Sequence, residues 1–291
     1  MHDIKMIVTD YDGTFVVHSA KGAWEKDNAD ALLEARAAGI LVYPCTGRPW
    51  PQVSRLMGPF VFDGLCVSTN GAAIVDMQSG AQLYCNCLSP EMTKSLIEIA
   101  YRHNMLVQAC TSKHVGFLIP DGRTSGYVIP PDRDVLSYTE GHRNSTDTDK
   151  YGFYLYGSVN EMVEANLHTT ELFRFVIAPD DLTQSMKDDF AALTDIEITW
   201  SHAYHMDIMA KGVSKGSAVV KLAELKGIDL EHVMALGDNE NDTSMLSAVG
   251  VGVAMGDATE SAKAAARYIS VPAVDGGFAH AVRKYALGMT V

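Results

Sequence analysis

The chain declares its architecture early, at Lys5-Met6-Ile7-Val8-Thr9-Asp10-Tyr11-Asp12-Gly13-Thr14. The first half of this run is apolar, β-branched and short, the pattern of a buried strand. The second half ends the strand with two carboxylates two residues apart and then a glycine, which lets the backbone turn sharply and approach a ligand. Residues 10–22 read as a loop containing Gly13 and Gly22. Residues 25–38 read as a helix, with Ala29, Leu32, Leu33 and Ala37 near helical spacing and Gly39 as its stop. A second strand at 40–43 leads to Thr46-Gly47-Arg48, a short helix follows at 49–57, and a third strand at 65–68 leads to Thr69-Asn70-Gly71. Strand, helix, strand, helix, strand implies a parallel sheet covered on both faces.

The same rhythm returns after residue 210. A helix opens at Val213-Ser214-Lys215-Gly216, and a strand at 232–236 leads to Gly237-Asp238-Asn239-Glu240-Asn241-Asp242. Shorter helices and a strand follow, and a helix over 275–285 closes the chain. The middle mixes helical patterns (90–103, 160–168, 180–193) with strand patterns (106–110, 151–156, 173–178, 197–200, 205–209). Its stretch 130–149 is rich in Asp, Ser, Thr and Pro, as surface loops are. The expected fold class is α/β, a Rossmann-like parallel-sheet core interrupted by an α+β insert. The expected domains are 1–85 with 210–291 as the core and 86–209 as the insert.

Bulk properties narrow the function classes. A chain of 291 residues with 47% hydrophobic and 20% charged residues is an ordinary globular protein. Its net charge of −13 argues against nucleic acid as a partner. It does not argue against a small phosphorylated ligand, because a bound divalent cation reverses the field inside one cleft. No apolar run approaches the ~20 residues of a membrane helix, and the N-terminus runs directly into a strand, so a cytoplasmic protein without a signal peptide is expected. The five cysteines, an odd number, suit buried or bystander thiols better than a disulfide framework. Cys85-Asn86-Cys87 lacks the partner spacing of a metal site. The ten histidines show none either.

Each strong polar cluster falls where an expected strand ends, and open α/β sheets bind ligands outside the carboxyl ends of their strands. Asp10 and Asp12 either cap a loop as turn residues or share a cation that relieves their repulsion. Asp238, ending another core strand, would supply a further oxygen. A few carboxylates leaving room for water and phosphate is the donor set Mg²⁺ favours. Phosphate-ester hydrolysis is slow enough to need such help. A carboxylate nucleophile divides the step, a second carboxyl moves the proton, and metal plus lysine stabilise charge on the transferring group.

Asp10-Tyr11-Asp12-Gly13-Thr14, Thr46-Gly47-Arg48, Lys215 and Gly237-Asp238-Asn239-Glu240-Asn241-Asp242 resemble the four ordered motifs of the haloacid dehalogenase superfamily. Thr69-Asn70-Gly71-Ala72, Gly212-Val213-Ser214-Lys215-Gly216 and Val253-Ala254-Met255-Gly256 bring the resemblance closer to its Cof-type phosphatases. In that subfamily the insert is a large α/β cap of the C2 type. The resemblance implies a phosphoric monoester hydrolase acting on a small phosphorylated metabolite (sugar phosphate, nucleotide or cofactor-precursor phosphate) through an aspartyl-phosphate. It implies Asp10 as nucleophile and Mg²⁺ ligand, and Asp12 as general acid/base that also gives its carbonyl to the metal. Asp238 would be the remaining protein ligand, with Asp242 behind it. Thr46, the amides of Tyr11 and Gly47, Lys215 and Asn241 would hold the phosphoryl oxygens.

Other residues stay open at this level. Lys211 lies close enough in sequence to be confused with Lys215. Arg48 either meets substrate or pairs with a core carboxylate, and Asn70 is either a turn residue or part of the cleft. In the insert, His114, Arg123, His142 and Arg143 either select substrate or face solvent. Tyr11 and Phe15 replace more usual aliphatic residues, and the Tyr11 side chain is expected to take no part in chemistry. The competing readings are a phosphomutase, which uses the same aspartate pair, and a non-catalytic binding module on the same core. Oligomeric state is not legible.

Overall fold

Every residue of β1 (Met6–Asp10) is buried, on both faces of the strand, which is how a central strand of a parallel sheet is recognised. The computed structural model describes residues 2–17, 24–57, 62–118, 153–156 and 158–290. These form two compact units: Met1–Gly47, Met57–Tyr84 and Ser214–Val291 in one, Arg48–Leu56 and Cys85–Val213 in the other.

In chain order β1 is followed by α1 (Trp24–Ala37), β2 (Leu41–Cys45), α2 (Trp50–Leu56), β3 (Leu65–Ser68), β4 (Ala73–Asp76) and β5 (Gln82–Cys85). The insert contributes α3 (Pro90–Arg102), β6 (Val107–Cys110), β7 (Val115–Leu118), β8 (Phe153–Leu155), α4 (Val159–Asn166), β9 (Leu172–Val176), α5 (Gln184–Ala191), β10 (Ile196–His202) and β11 (His205–Ala210). The chain then adds α6 (Lys215–Lys226), β12 (Val233–Gly237), α7 (Thr243–Ala248), β13 (Val251–Ala254), α8 (Glu260–Ala265), β14 (Tyr268–Ile269) and α9 (Gly277–Ala281).

The first unit's sheet has the order β14-β13-β12-β1-β2-β3-β4-β5. All pairs from β14 to β3 are parallel, and β3 and β4 are antiparallel. Strands run outward from β1 to β3 on one side and from β12 to β14 on the other, so the order reverses between β1 and β12. That reversal opens the crevice in which doubly wound sheets bind ligands. Met6, Ile7, Val8, Val233, Met234 and Leu236 are fully buried around it; each such side chain stabilises by about 1.5–3 kcal/mol. Helix α1 is tied to the C-terminal helix by Arg283, which donates to Glu34 (2.8 and 3.0 Å) and Asp27 (2.6 Å).

The sequence pattern missed β4, β5, β7 and β14. β14 has only two residues, and β5 has no buried residue to produce an alternation. The closing helix is also broken: α9 stops at Ala281, and Val282–Ala286 continues as a π-helical turn. Among the described residues no helix is long and apolar enough to cross a membrane.

The second unit holds a six-stranded sheet, β10-β11-β9-β6-β7-β8, antiparallel except for β7 with β8. Alternate residues Val107, Ala109, Phe173, Phe175, Met206 and Ile208 share a core with Leu96, Ile97, Met162 and Phe190 from its helices. Between them lie Gln108, Arg174 and Asp207, paired in register. The Arg174 guanidinium donates to both oxygens of the fully buried Asp207, at 2.7 and 2.8 Å. Of the insert's polar candidates, His114 is bonded to the Tyr156 hydroxyl at 2.8 Å, while Arg123, His142 and Arg143 lie outside the described residues. Removing one partner of a buried pair leaves a bare charge in the interior. Asp207→Ala is therefore expected to lower the unfolding free energy by about 3–5 kcal/mol, measured in urea with Arg102→Ala, from an exposed pair, as the near-neutral control.

Candidate active site

Asp10 ends β1, and the next six residues double back on themselves. Val16 N–H donates to the Tyr11 carbonyl and Gly13 N–H to the Val16 carbonyl (2.7 and 2.8 Å). Gly13 sits at φ 89°, a conformation that favours glycine. A β-carbon there would also run into the Asp238 carboxylate. Thr14 donates its hydroxyl to Asp238 Oδ1 at 2.8 Å, so Gly13 admits that carboxylate and Thr14 fixes its direction. Tyr11 and Phe15 point into the core, where Phe15 meets Phe62 and Phe278 edge-on at centroid distances of 5.3 and 4.9 Å. The two departures from aliphatic residues are thus packing features.

Lys215 opens α6, held in place by a capping box between Ser214 and Ser217. A lysine in a first helical turn is disfavoured by the helix dipole. Here its ammonium, 1% exposed, donates to Asp10 Oδ1 and Asp242 Oδ1, each at 2.5 Å. Lys211 is exposed. The other Asp242 oxygen accepts the amides of Asp238 and Asn239 at 2.8 and 2.9 Å, which ties the loop after β12 to the lysine.

The carboxylate oxygens of Asp10, Asp238 and Asp242 lie within 4.8 Å of one another. At an effective dielectric near 20, like charges that close repel by roughly 3–4 kcal/mol per pair. One ammonium does not offset three carboxylates. Burial pushes the Asp10 carboxyl well above its ordinary range, with Lys215 opposing and Asp242 and Asp238 reinforcing. Burial and then the Asp242 charge push Asp238 up to about 6. Burial works against the Lys215 charge, yet Asp10 and Asp242 outweigh it and hold the ammonium well above its usual pKa. Hard oxygen donors with excess negative charge fit a divalent cation such as Mg²⁺. Asp12, half-buried on the loop, does not contribute its carboxylate to this cluster.

Thr46 follows β2 and is buried; its carbonyl accepts the Asn70 amide at 3.1 Å. Thr69 and Asn70 both adopt positive φ, 49° and 53°, unusual for asparagine and a real strain for a β-branched threonine. Asn70 Oδ1 accepts the Asn241 amide at 2.9 Å, and a β-carbon at Gly47 would come within 2.9 Å of that oxygen. Asn70 is thus both a left-handed turn residue and a brace between the loops carrying Gly47 and Asn241. Arg48 belongs to the second unit. There burial, Arg174 and, to a lesser degree, Arg48 lower His205 to about 3.

The structure therefore brings Asp10, Lys215, Asp238 and Asp242 into direct contact or near contact, with Thr46, Gly47 and Asn241 on neighbouring loops. Sequence reasoning missed the role of Thr14 and left Asn70 open between turn and cleft, because their partners Asp238 and Asn241 come 224 and 171 residues later. Gly13 and Gly39 have similar positive φ, but the space beside Gly39 is open. Gly39→Ala should cost the ~1–2 kcal/mol of a left-handed L-residue, and Gly13→Ala measurably more; equal losses in urea unfolding would contradict the close approach of Asp238.

The profile of the haloacid dehalogenase-like hydrolases matches residues 7–282. The 5-amino-6-(5-phospho-D-ribitylamino)uracil phosphatase YcsE of Bacillus subtilis is 26% identical over 285 residues, covering 98% of this chain and 97% of that protein. The pyridoxal phosphate phosphatase YbhA of Escherichia coli is 27% identical over 274 residues, covering 91% and 92%. A solved haloacid dehalogenase-like hydrolase from B. subtilis superposes with a TM-score of 0.78 at 24% identity, covering 97% of this chain and all of that one. With three motif loops at the carboxyl ends of the neighbouring parallel strands β12, β1 and β2, and Lys215 bonded to Asp10 and Asp242, the chain belongs to the haloacid dehalogenase-like hydrolases and is a phosphatase of the Cof type.

Proposed function

We propose that this protein is a Mg²⁺-dependent phosphatase that hydrolyses a small phosphorylated metabolite through an aspartyl-phosphate on Asp10. The observation that carries the reading is the buried Asp10–Lys215–Asp242 arrangement with Asp238 alongside. The first unit is the catalytic core and the second the cap whose side chains select substrate. Asp10, Asp238 and the Asp12 carbonyl would hold the metal, with Asp242 behind them orienting Lys215 and the loop. Bound there, Mg²⁺ would supply charge that lets an anionic pocket accept a phosphate.

An Asp10 oxygen attacks phosphorus as the ester P–O bond breaks, and the Asp12 carboxyl gives its proton to the departing alkoxide. Asp12, now a carboxylate, takes a proton from water as that water attacks phosphorus, releasing inorganic phosphate and restoring Asp10. Thr46, the amides of Tyr11 and Gly47, Lys215 and Asn241 hold the phosphoryl oxygens while charge shifts among them. Two relatives are named for 5-amino-6-(5-phospho-D-ribitylamino)uracil and pyridoxal phosphate. Cofactors and their precursors therefore head the substrate panel, with sugar phosphates and nucleotides next. A cytoplasmic location accords with such substrates.

Phosphate release from that panel is expected with Mg²⁺ and to disappear with a chelator. Asp10→Asn should reduce turnover by at least about 10³-fold, and full turnover in this variant would remove Asp10 as nucleophile. In single-turnover phosphorylation of Asp10, Asp12→Asn should slow attack on alkyl phosphates far more than on p-nitrophenyl phosphate, whose leaving group needs no proton; equal slowing of both in that step would take the acid role from Asp12.

A further inference from the structure

The chain passes from the first unit to the second between Tyr84 and Cys85, and two thiols stand at that passage. Cys85 ends edge strand β5 and is exposed; Cys87 is half-buried. Their sulfurs lie 2.6 Å apart, not far above the ~2.05 Å of an S–S bond. The segment is anchored beyond them as well. Leu88 is buried and donates its amide to the Thr170 carbonyl at 2.9 Å, and Ser89 caps α3.

Their chemistry differs from that of the other cysteines. Cys45, Cys66 and Cys110 are buried, and burial raises all three thiols, Cys110 to about 12. A hydrogen bond from Cys85 lowers Cys87, against its partial burial and the Glu171 charge. A thiolate with a neighbouring thiol is the arrangement that exchanges with disulfides.

We propose that Cys85 and Cys87 form a thiol–disulfide exchange site, closed by a low-molecular-weight disulfide such as glutathione disulfide and reopened by thiols. The Cys87 thiolate attacks one sulfur of the small disulfide, forming a mixed disulfide and expelling one thiolate, which takes up the proton Cys87 had lost to solvent. Cys85 then attacks the Cys87 sulfur and expels the second small thiol, which leaves with the Cys85 proton. Two protein thiols become one disulfide and the small disulfide becomes two thiols. The ring so formed encloses Asn86 and fixes the torsions of the segment joining β5 to Leu88.

The test uses the full chain without substrate, so its result is independent of the phosphatase reading. Protein is equilibrated with glutathione disulfide, alkylated and mapped by mass spectrometry. Wild type is expected to lose both alkylation sites and two hydrogens, reversibly with dithiothreitol. Cys85→Ser should stop as a stable glutathione adduct on Cys87, and Cys87→Ser should react at least about 10-fold more slowly, with thermal melts confirming that both variants fold. The proposal is overturned if both thiols of wild type stay open to alkylation. It also fails if the two variants react at equal rates, or if added Zn²⁺ binds the pair stoichiometrically and the small disulfide leaves it untouched.

Discussion

A single buried ammonium organises this site. Lys215 lies between Asp10 and Asp242, and each contact fixes a different part of the chain. Through Asp10 the lysine is tied to the central strand, and through Asp242 to the loop that follows β12. Since Asp242 also accepts two amides of that loop, the position of Asp238 is set at one remove by the same lysine. An ammonium so deeply buried would be costly without such partners. The partners overcompensate, and the surplus of negative charge leaves a carboxylate cluster that could hold a cation.

Around this pair, backbone conformation and side-chain chemistry constrain one another. The left-handed turn at Gly13 lets the Asp238 carboxylate approach, and Thr14 holds it. At the end of β3 the strain of Thr69 and Asn70 places one carboxamide between two other loops. Strain of ~1–3 kcal/mol per residue persists only where surrounding contacts enforce it, and here those contacts come from Thr46 and Asn241. The motif residues are thus selected partly by what neighbouring loops leave room for, and not only by the reaction.

The central sheet was legible because β1, β2, β3 and β12 are short apolar runs that each end in a polar cluster. Repulsion between carboxylates at strand ends pointed to Asp10 and Asp12, whereas the structure clusters Asp10 with Asp238 and Asp242, because Lys215 draws Asp242 toward Asp10. Lys215 could be distinguished from Lys211 only by its sequence context; the structure separates them by burial, Lys215 at 1% exposed and Lys211 on the surface. Thr14 and Asn70 were not assignable, since a hydroxyl or carboxamide has no chemistry of its own until its partner is known. The strands β5 and β14 escaped for a different reason: one lies at the sheet edge without buried residues, and the other is too short to show a period. Burial of Cys45, Cys66 and Cys110 follows their apolar surroundings, whereas the contact of Cys85 with Cys87 depends on the local backbone path through Asn86.

The register of β1 has a consequence for biosynthesis. One edge of that strand pairs with β2, made soon afterwards, but the other pairs Met6 with Val233. At a ribosomal pace of roughly 5–20 residues per second, that edge waits on the order of ten seconds or more for its neighbour. Throughout that interval the nascent chain carries an apolar strand with open amides and carbonyls, the kind of surface that recruits other strands. Chaperone demand during translation would therefore be set by the position of the insert, which delays β12, and not by the stability of the finished protein.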